Sequence, residues 1–154
     1  MEITPSILKS IELFAGLSDE QLTALAEIGK YSVFRRREVI LREGEQSTDV
    51  YVVLAGQVEV VTELSQDTTS LIILGAGQSF GEMALLDAGP RSATIRCISS
   101  EATLLTFSRD DLLAFWDEAC RVGYQMVLNI ARDLAFKLRI RNLTNAMPRE
   151  VADL

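Results

Sequence analysis

Histidine is absent from this sequence of 154 residues. The imidazole side chain is the commonest general base in enzymes and the commonest protein ligand of transition metals. A β-barrel enzyme of the cupin type needs a histidine-rich metal site, so that class is disfavoured. Without histidine, a nucleophile and its base could be assembled only by unusual lysine or carboxylate chemistry. We therefore expect no enzyme, with no catalytic residues and no metal site.

Long apolar runs and cysteines are also scarce. No apolar stretch approaches the length of a membrane span, and Met1-Glu2-Ile3 does not begin a basic and then apolar signal segment. Cys97 and Cys120 lie in no recognisable metal or redox motif, so reduced thiols are favoured over a disulfide. These features predict a cytoplasmic protein with no membrane partner.

The sequence has no excess of basic residues. Its 15 Lys and Arg residues face 22 Asp and Glu residues, which gives a formal net charge of −7. Phosphate backbones are met by basic surfaces, so this charge argues against a nucleic-acid partner. The run Arg35-Arg36-Arg37 is the exception, and we interpret it as a solvated strand edge that deters unwanted pairing.

The length and the apolar content of 48% predict one soluble domain with a substantial core. Short β-prone runs are separated by turns, and several of these turns contain glycine. This pattern predicts an antiparallel sandwich or closed barrel. Two short helices precede them, over residues 6–14 and 18–29, and a capping box of Ser18 and Gln21 begins the second. The predicted fold is mainly β with flanking helices, in three parts of a single domain spanning 1–154: N-terminal helices in 1–30, a β-roll in 31–107 and C-terminal helices in 108–147.

The C-terminal part predicts two helices. A second capping box, of Ser108 and Asp111, begins one helix, and a long helix follows from about Ala119 to Asn145. Apolar residues recur along one stripe of this long helix. Because the strands already form a core, much of the stripe would be exposed in a monomer. This predicts a homodimer along the helix, although another protein partner would satisfy the same pattern.

Residues 80–95 combine groups that suit a sugar phosphate. Gly81 allows a ligand to approach the backbone, and the short helical turn predicted from Met83 offers N–H groups that attract an anion. Arg91 supplies a planar cation that matches a phosphate. Glu82 would be repelled by a phosphate and is better suited to accept hydrogen bonds from ribose hydroxyls. Taken singly, a Glu and an Arg beside a turn are usually a surface ion pair of little energetic value.

Two strings stand out in this stretch: Phe80-Gly81-Glu82-Met83-Ala84-Leu85 and Pro90-Arg91-Ser92-Ala93-Thr94. Together they resemble the phosphate-binding cassette of cyclic nucleotide-binding domains, and a weaker resemblance extends over about residues 7–145. It implies the jelly-roll β-roll of that family, with Glu82 on the ribose 2′-hydroxyl and Arg91 on the cyclic phosphate. It also implies a cradle that comprises Gly81, the N–H groups of Met83, Ala84 and Ala93, and the Ser92 hydroxyl.

In many members of that family, polar side chains near the end of the long helix close over the base. Arg141 and Asn142 fall at this place. No motif fixes the assignment, and a solvated helix end with cationic side chains near its negative pole explains the two residues equally well.

The resemblance implies a cyclic nucleotide receptor, without any cofactor, that signals through its C-terminal helix to a protein effector. Ser92 stands where members that prefer cGMP often have threonine, so cAMP is favoured. Transcription regulators of the family continue into a helix-turn-helix, and the residues after Asn145 are too few for one, so we expect a stand-alone sensor. The alternative is an interaction or scaffold protein that keeps the fold but binds no nucleotide or a different ligand.

Overall fold

Helices lie at both ends of the chain and strands lie between them, in a computed structural model that describes residues 3–62 and 69–146. The elements in chain order are α1 (Pro5–Lys9), a 3-10 helix (Glu12–Phe14), α2 (Asp19–Ile28), β1 (Lys30–Arg35), β2 (Val39–Leu41), β3 (Val50–Ala55), β4 (Val58–Thr62), β5 (Thr69–Leu74), β6 (Ser79–Phe80), α3 (Met83–Asp87), β7 (Thr94–Cys97), β8 (Glu101–Phe107), α4 (Arg109–Glu118) and α5 (Cys120–Ala146).

The strands form two four-stranded sheets, ordered β1-β8-β3-β6 and β2-β7-β4-β5. Every strand pair in them is antiparallel. The sheets pack face to face and form a roll, with the helices on the outer face of the first sheet. The predicted fold, mainly β with flanking helices and a long C-terminal helix, is confirmed.

Two apolar cores follow from the alternation of side chains along the strands. On β8, Leu104 packs between the two sheets with Val53 and Val58. The next residue, Leu105, points the other way and packs with the helices. The same strand therefore holds the roll together and attaches the helices to it.

The helix predicted over residues 6–14 is interrupted. α1 ends at Lys9, and the Ser10 hydroxyl donates to the Ile7 carbonyl at 2.8 Å, a local bond that competes with helix propagation. The Glu12 N–H then donates to the Gly77 carbonyl at 3.3 Å instead of continuing the helix. A short 3-10 helix follows, because tertiary contact outweighs the helical preference of the segment.

The capping predictions are confirmed at Ser18 and in part at Ser108. Ser18 and Gln21 form both bonds of the box, at 3.2 Å and 2.9 Å. At α4 the Ser108 hydroxyl accepts from the Asp111 N–H at 3.1 Å. An aspartate is one methylene shorter than the glutamate of a full box, and among the described residues its side chain makes no return bond.

The long helix α5 is buried in its first half and exposed in its second. Val122, Met126 and Ile130 are in the core with α4 and the N-terminal helices, so this part of the predicted stripe needs no partner. Residues 135–143 are all exposed. Within residues 3–62 and 69–146, no helix has the length and apolar character of a membrane span.

Candidate functional site

The stretch singled out by its sequence forms a connection between β6 and β7. The Phe80 ring stacks on Tyr51 of β3 with ring centroids 5.0 Å apart, which fixes where the connection begins. Gly81 then turns the chain with φ of +80°, and α3 follows. α3 ends at Asp87, and the next residue, Ala88, has a left-handed backbone with φ of 51°. The cassette is therefore a loop, a single short helix and a second loop that return the chain to the roll.

Arg91 is almost wholly buried, with 6% of its surface exposed. Its Nε donates to the Ser47 hydroxyl at 2.8 Å, and its Nη2 donates to the Asp49 carbonyl at 2.7 Å. Its Nη1 donates to the Gly81 carbonyl at 3.3 Å. The guanidinium forms no salt bridge with any residue that the structure describes. A buried cation without a carboxylate partner is costly, so the site is suited to an anion from outside the chain.

Glu82 is partly buried at the N-terminus of α3, and its side chain makes no capping bond to that helix. Burial raises the pKa of its carboxyl above the ordinary value, and the carboxylate of Asp133 acts in the same direction. Its own backbone N–H, the Lys137 ammonium and the Arg91 guanidinium oppose the rise in pKa. Glu82 is thus an acceptor on the cassette, near the charged side chains of Asp133 and Lys137 on α5.

Glu82 and Arg91 line one cavity of about 400 Å³. This volume is in the range of small-molecule sites. Apolar side chains from the inner face of the second sheet form its wall: Leu41, Val60, Ile72, Leu74 and Ile95. The cavity therefore has an apolar wall, a buried cation and a separate carboxyl group, which together suit an anionic ligand with an apolar portion and hydroxyls.

Most of the residues that the sequence singled out reach this cavity. They are Gly81, Glu82, Met83, Ala84, Arg91, Ser92 and Ala93. One predicted donor is already engaged, because the Ala84 N–H donates to the Gly81 carbonyl at 3.2 Å. The geometry of this site is compatible with the predicted cradle, and the ligand contacts themselves stay a prediction.

Arg141 and Asn142 are not brought to the cavity. Both are exposed on α5. Lys137, one helical turn before Arg141, lines the cavity instead and forms an ion pair with Asp133 at 2.6 Å. Sequence reasoning missed Lys137 because the pattern on α5 fixes a face of the helix but not how far along it the cavity lies.

Two further residues connect the cassette and α5 to the rest of the molecule. The Arg109 Nε at the start of α4 donates to the Ala84 carbonyl at 3.0 Å, so α4 holds α3 directly. The Asn129 amide of α5 donates to the carbonyls of Leu13 and Ala15, at 3.0 Å and 2.9 Å. The side chains around the cavity are thus positioned by helices from both ends of the chain.

The part of the chain described by the structure holds no group of three or more Cys, Asp or Glu side chains arranged to bind a metal ion. Both cysteines are free, and Cys97 is buried in the roll.

Comparison with known proteins identifies a family that this chain resembles in sequence. The family model of the cyclic nucleotide-binding domain matches residues 31–119. The chain is 30% identical to the cyclic AMP receptor protein of Thermus thermophilus over 128 residues, which are 82% of this chain and 59% of that protein. It is 28% identical to cGMP-dependent protein kinase isozyme 1 of Drosophila melanogaster over 140 residues, which are 89% of this chain and 18% of the kinase. The chain therefore covers less than two thirds of these relatives.

Solved structures resemble this chain over most of its length. The Thermus thermophilus catabolite activator protein superposes with a TM-score of 0.76 at 31% identity, covering 86% of this chain and 61% of that one. A cyclic nucleotide-binding domain from Methylobacillus flagellatus superposes with a TM-score of 0.79, covering 95% of this chain and 84% of the other, and at 24% identity it supports the fold alone. With a family match across most of the β-roll and a cassette that lines its cavity, this chain belongs to the cyclic nucleotide-binding domain family.

Proposed function

We propose that this protein is a receptor for a cyclic nucleotide, cAMP in preference to cGMP, and that it is not an enzyme. The observation that carries the proposal is the buried Arg91, which has no carboxylate partner among the described residues and lines the same cavity as Glu82. A cyclic phosphate supplies the missing anion, and ribose hydroxyls supply donors for Glu82. Thermus thermophilus cyclic AMP receptor protein, the relative noted above, supports this choice by its name.

The proposed ligand lies with its phosphate at Arg91, Ser92 and the N–H groups of Met83, Ala84 and Ala93. The base lies against the apolar wall that includes Val60 and Ile72. The Ala84 N–H would have to share or exchange its bond to Gly81. Arg141 and Asn142 act as a lid in this proposal only if α5 moves toward the cavity, and Lys137 is already there.

Isothermal titration calorimetry with cAMP tests the site. Removing one side of an arginine–phosphate pair costs about 2–5 kcal/mol, so Arg91→Ala should weaken binding by well over tenfold. Arg96→Ala is the matched control, because Arg96 lies on β7, five residues after Arg91, but bonds Glu59 outside the cavity. Arg91→Lys keeps the positive charge at the site. Its comparison with Arg91→Ala distinguishes a loss of binding from a loss of folding. Unchanged affinity in both Arg91 variants would reject the site.

Competition between cAMP and cGMP tests the choice of nucleotide. The short hydroxyl side chain of Ser92 stands beside Arg91, where threonine is frequent in members that prefer cGMP. Ser92→Thr should therefore shift the preference toward cGMP. A wild-type protein that binds cGMP more tightly would contradict the proposed preference. Recovery of intact nucleotide after long incubation checks that the protein has no hydrolytic activity.

The proposed output is a movement of α5, with a homodimer along that helix. Its exposed half presents large apolar side chains, among them Phe136 at 64% exposure, Leu138, Ile140 and Leu143. Phe136, Ile140 and Leu143 follow helical spacing along one side of α5, and exposed apolar surface of this kind favours a partner. Light scattering with and without cAMP should report a dimer, and Ile140→Glu should make it monomeric. If the wild-type protein is monomeric at all concentrations, the exposed half of α5 would instead bind a different protein, the effector.

The same exposed helix favours the second candidate, an interaction protein that binds no nucleotide. Thermal unfolding separates the two. A ligand at a hundred times its dissociation constant adds about 2.7 kcal/mol of stability. No shift with cAMP or cGMP would favour the interaction protein. In either case we place the protein in the cytoplasm, in keeping with its unpaired cysteines.

A further inference from the structure

A second concave surface lies on the opposite face of the sheet that walls the nucleotide cavity. Along β4 and β7, Val60 and Ile95 point into the roll, whereas Glu59 and Arg96 point outward. Glu59 and Arg96 are partners in the ladder, and their side chains form an ion pair. The outward side chains line a groove of about 320 Å³ with Arg36, Arg37, Cys97 and Ile98, which we name the arginine groove.

Two of the arginines, Arg36 and Arg37, lie on the turn between β1 and β2. The Arg37 N–H donates to the Cys97 carbonyl at 2.8 Å, and the Arg36 Nε donates to the Ile98 carbonyl at 3.1 Å. These bonds hold the turn against the end of β7. Arg36 is therefore held at its Nε, while the residue as a whole is exposed.

Arg37 occupies a backbone conformation that suits glycine, with φ of 73°. Its guanidinium forms no hydrogen bond or ion pair with any of residues 3–62 and 69–146 that the structure describes. A non-glycine residue in this conformation is uncommon, and such backbone outliers cluster at binding sites. Glycine would relieve the strain but would remove the charge.

The charges in the groove do not cancel. Among the described residues, three guanidinium groups line it, and the one lining carboxylate, that of Glu59, bonds to Arg96. This surplus stands on a protein whose formal net charge is −7. A long polyanion such as a nucleic acid would be repelled wherever it extended beyond the groove. A short anionic segment that contacts only the groove would not.

We infer that the arginine groove binds a short acidic segment of a partner protein, a few Asp or Glu side chains long. Planar guanidinium groups match carboxylates with paired hydrogen bonds. Because exposed ion pairs are individually weak, binding requires several carboxylates at once and weakens with salt. The groove is separate from the nucleotide cavity, so the inference stands whether or not a nucleotide binds.

Fluorescence anisotropy with a labelled peptide of six glutamates tests this inference on the full chain, at low salt. Arg37→Glu should weaken binding about tenfold, because it replaces an attraction with a repulsion. Arg132→Glu is the matched control, since it makes the same charge change at an exposed position of α5 and should alter affinity less than twofold. Circular dichroism checks that both variants are folded.

Glu59→Gln should increase the affinity for the peptide, a result that misfolding cannot produce. It removes the only carboxylate among the described residues that line the groove and frees Arg96, so the glutamate peptide should bind severalfold more tightly. Equal affinity of the wild type, Arg37→Glu and Glu59→Gln would overturn the inference. It would also be overturned if an oligonucleotide of equal charge displaced the peptide as well as unlabelled hexaglutamate does, since the groove would then be a nucleic-acid site.

Discussion

Arg91 and Gly81 are in direct contact across the cassette. The Arg91 Nη1 donates to the Gly81 carbonyl at 3.3 Å, and a Cβ on residue 81 would lie 2.9 Å from the same nitrogen and 2.8 Å from the Asp49 carbonyl oxygen. The glycine thus meets two requirements, a left-handed backbone and room for a guanidinium. The position of the cation in the cavity depends on the absence of one methyl group ten residues earlier in the chain.

Gly81→Ala should lower the unfolding free energy by about 2–4 kcal/mol, as the left-handed strain and the steric conflict add. Gly44→Ala is the matched control. Gly44 has φ of +82°, and a Cβ there would meet no described atom within 4 Å apart from its chain neighbours. It should therefore show the strain alone, about 1 kcal/mol. Urea denaturation measures both, and equal losses would mean that the cassette adjusts freely around residue 81.

Glu82 should make stability depend on pH. Its folded-state pKa is raised above 4.5, chiefly by burial. The sign follows from linkage: the contribution to stability is fully present below the unfolded-state pKa and is lost as pH rises through the folded-state value. Glu82→Gln does not titrate, so its stability relative to the wild type should rise across that window and then level off. Urea denaturation over acidic to neutral pH measures the difference, and a flat difference would contradict the raised pKa.

Nucleotide affinity should have the opposite pH dependence. The ionised carboxylate is the better acceptor for ribose hydroxyls, so wild-type affinity for cAMP should fall as pH drops through the raised pKa of Glu82. Glu82→Gln should bind more weakly at neutral pH, by about 1–2 kcal/mol, and should lose this pH dependence. Calorimetry over the same pH range measures both effects. A wild-type affinity that does not change with pH would place the ribose elsewhere.

Lys137 and Arg141 give different expectations for α5. If the helix keeps its position when the nucleotide binds, Lys137→Ala should weaken cAMP binding severalfold and Arg141→Ala should not, because only Lys137 lines the cavity. If the helix closes as a lid, the Arg141→Ala and Asn142→Ala variants should lose affinity as well. Calorimetry on the three variants distinguishes a stationary α5 from one that closes over the nucleotide. No change in any of them would remove α5 from the site.

Asn129 should be important for docking α5. Its amide nitrogen donates to two backbone carbonyls of the N-terminal segment, those of Leu13 and Ala15. Asn129→Asp keeps the shape but loses both donors, so the free energy of unfolding should fall by about 1–3 kcal/mol. Gln125→Ala, which removes the amide that donates to Asn129 Oδ1, should cost less. Thermal and urea unfolding compare them, and similar losses would show that the two carbonyls are satisfied by water instead.

The sequence determined the parts of this protein that depend on neighbours along the chain. The capping of α2 by Ser18 and Gln21 involves residues three apart, and the alternation that separates Leu104 from Leu105 involves adjacent ones. The cassette is also a local feature, a glycine turn and a short helix within sixteen residues. Such interactions have fixed periods, so short runs and turns were enough to predict an antiparallel sandwich or barrel. The resemblance of the cassette to cyclic nucleotide-binding domains added the β-roll and seven of the nine proposed site residues that line its cavity.

Only the tertiary structure decided what surrounds those residues. Arg91 is held by Ser47 and the Asp49 carbonyl, more than forty residues earlier, and this contact depends on the register of the sheets. Lys137 rather than Arg141 reaches the cavity because Asn129 and the buried half of α5 fix how far the helix extends along the roll. The run of arginines became one side of a groove because Arg96 and Glu59 pair on the outer face of the same sheet. Strand register and helix docking come from the packing of distant segments, which has no period along the chain for a sequence to display.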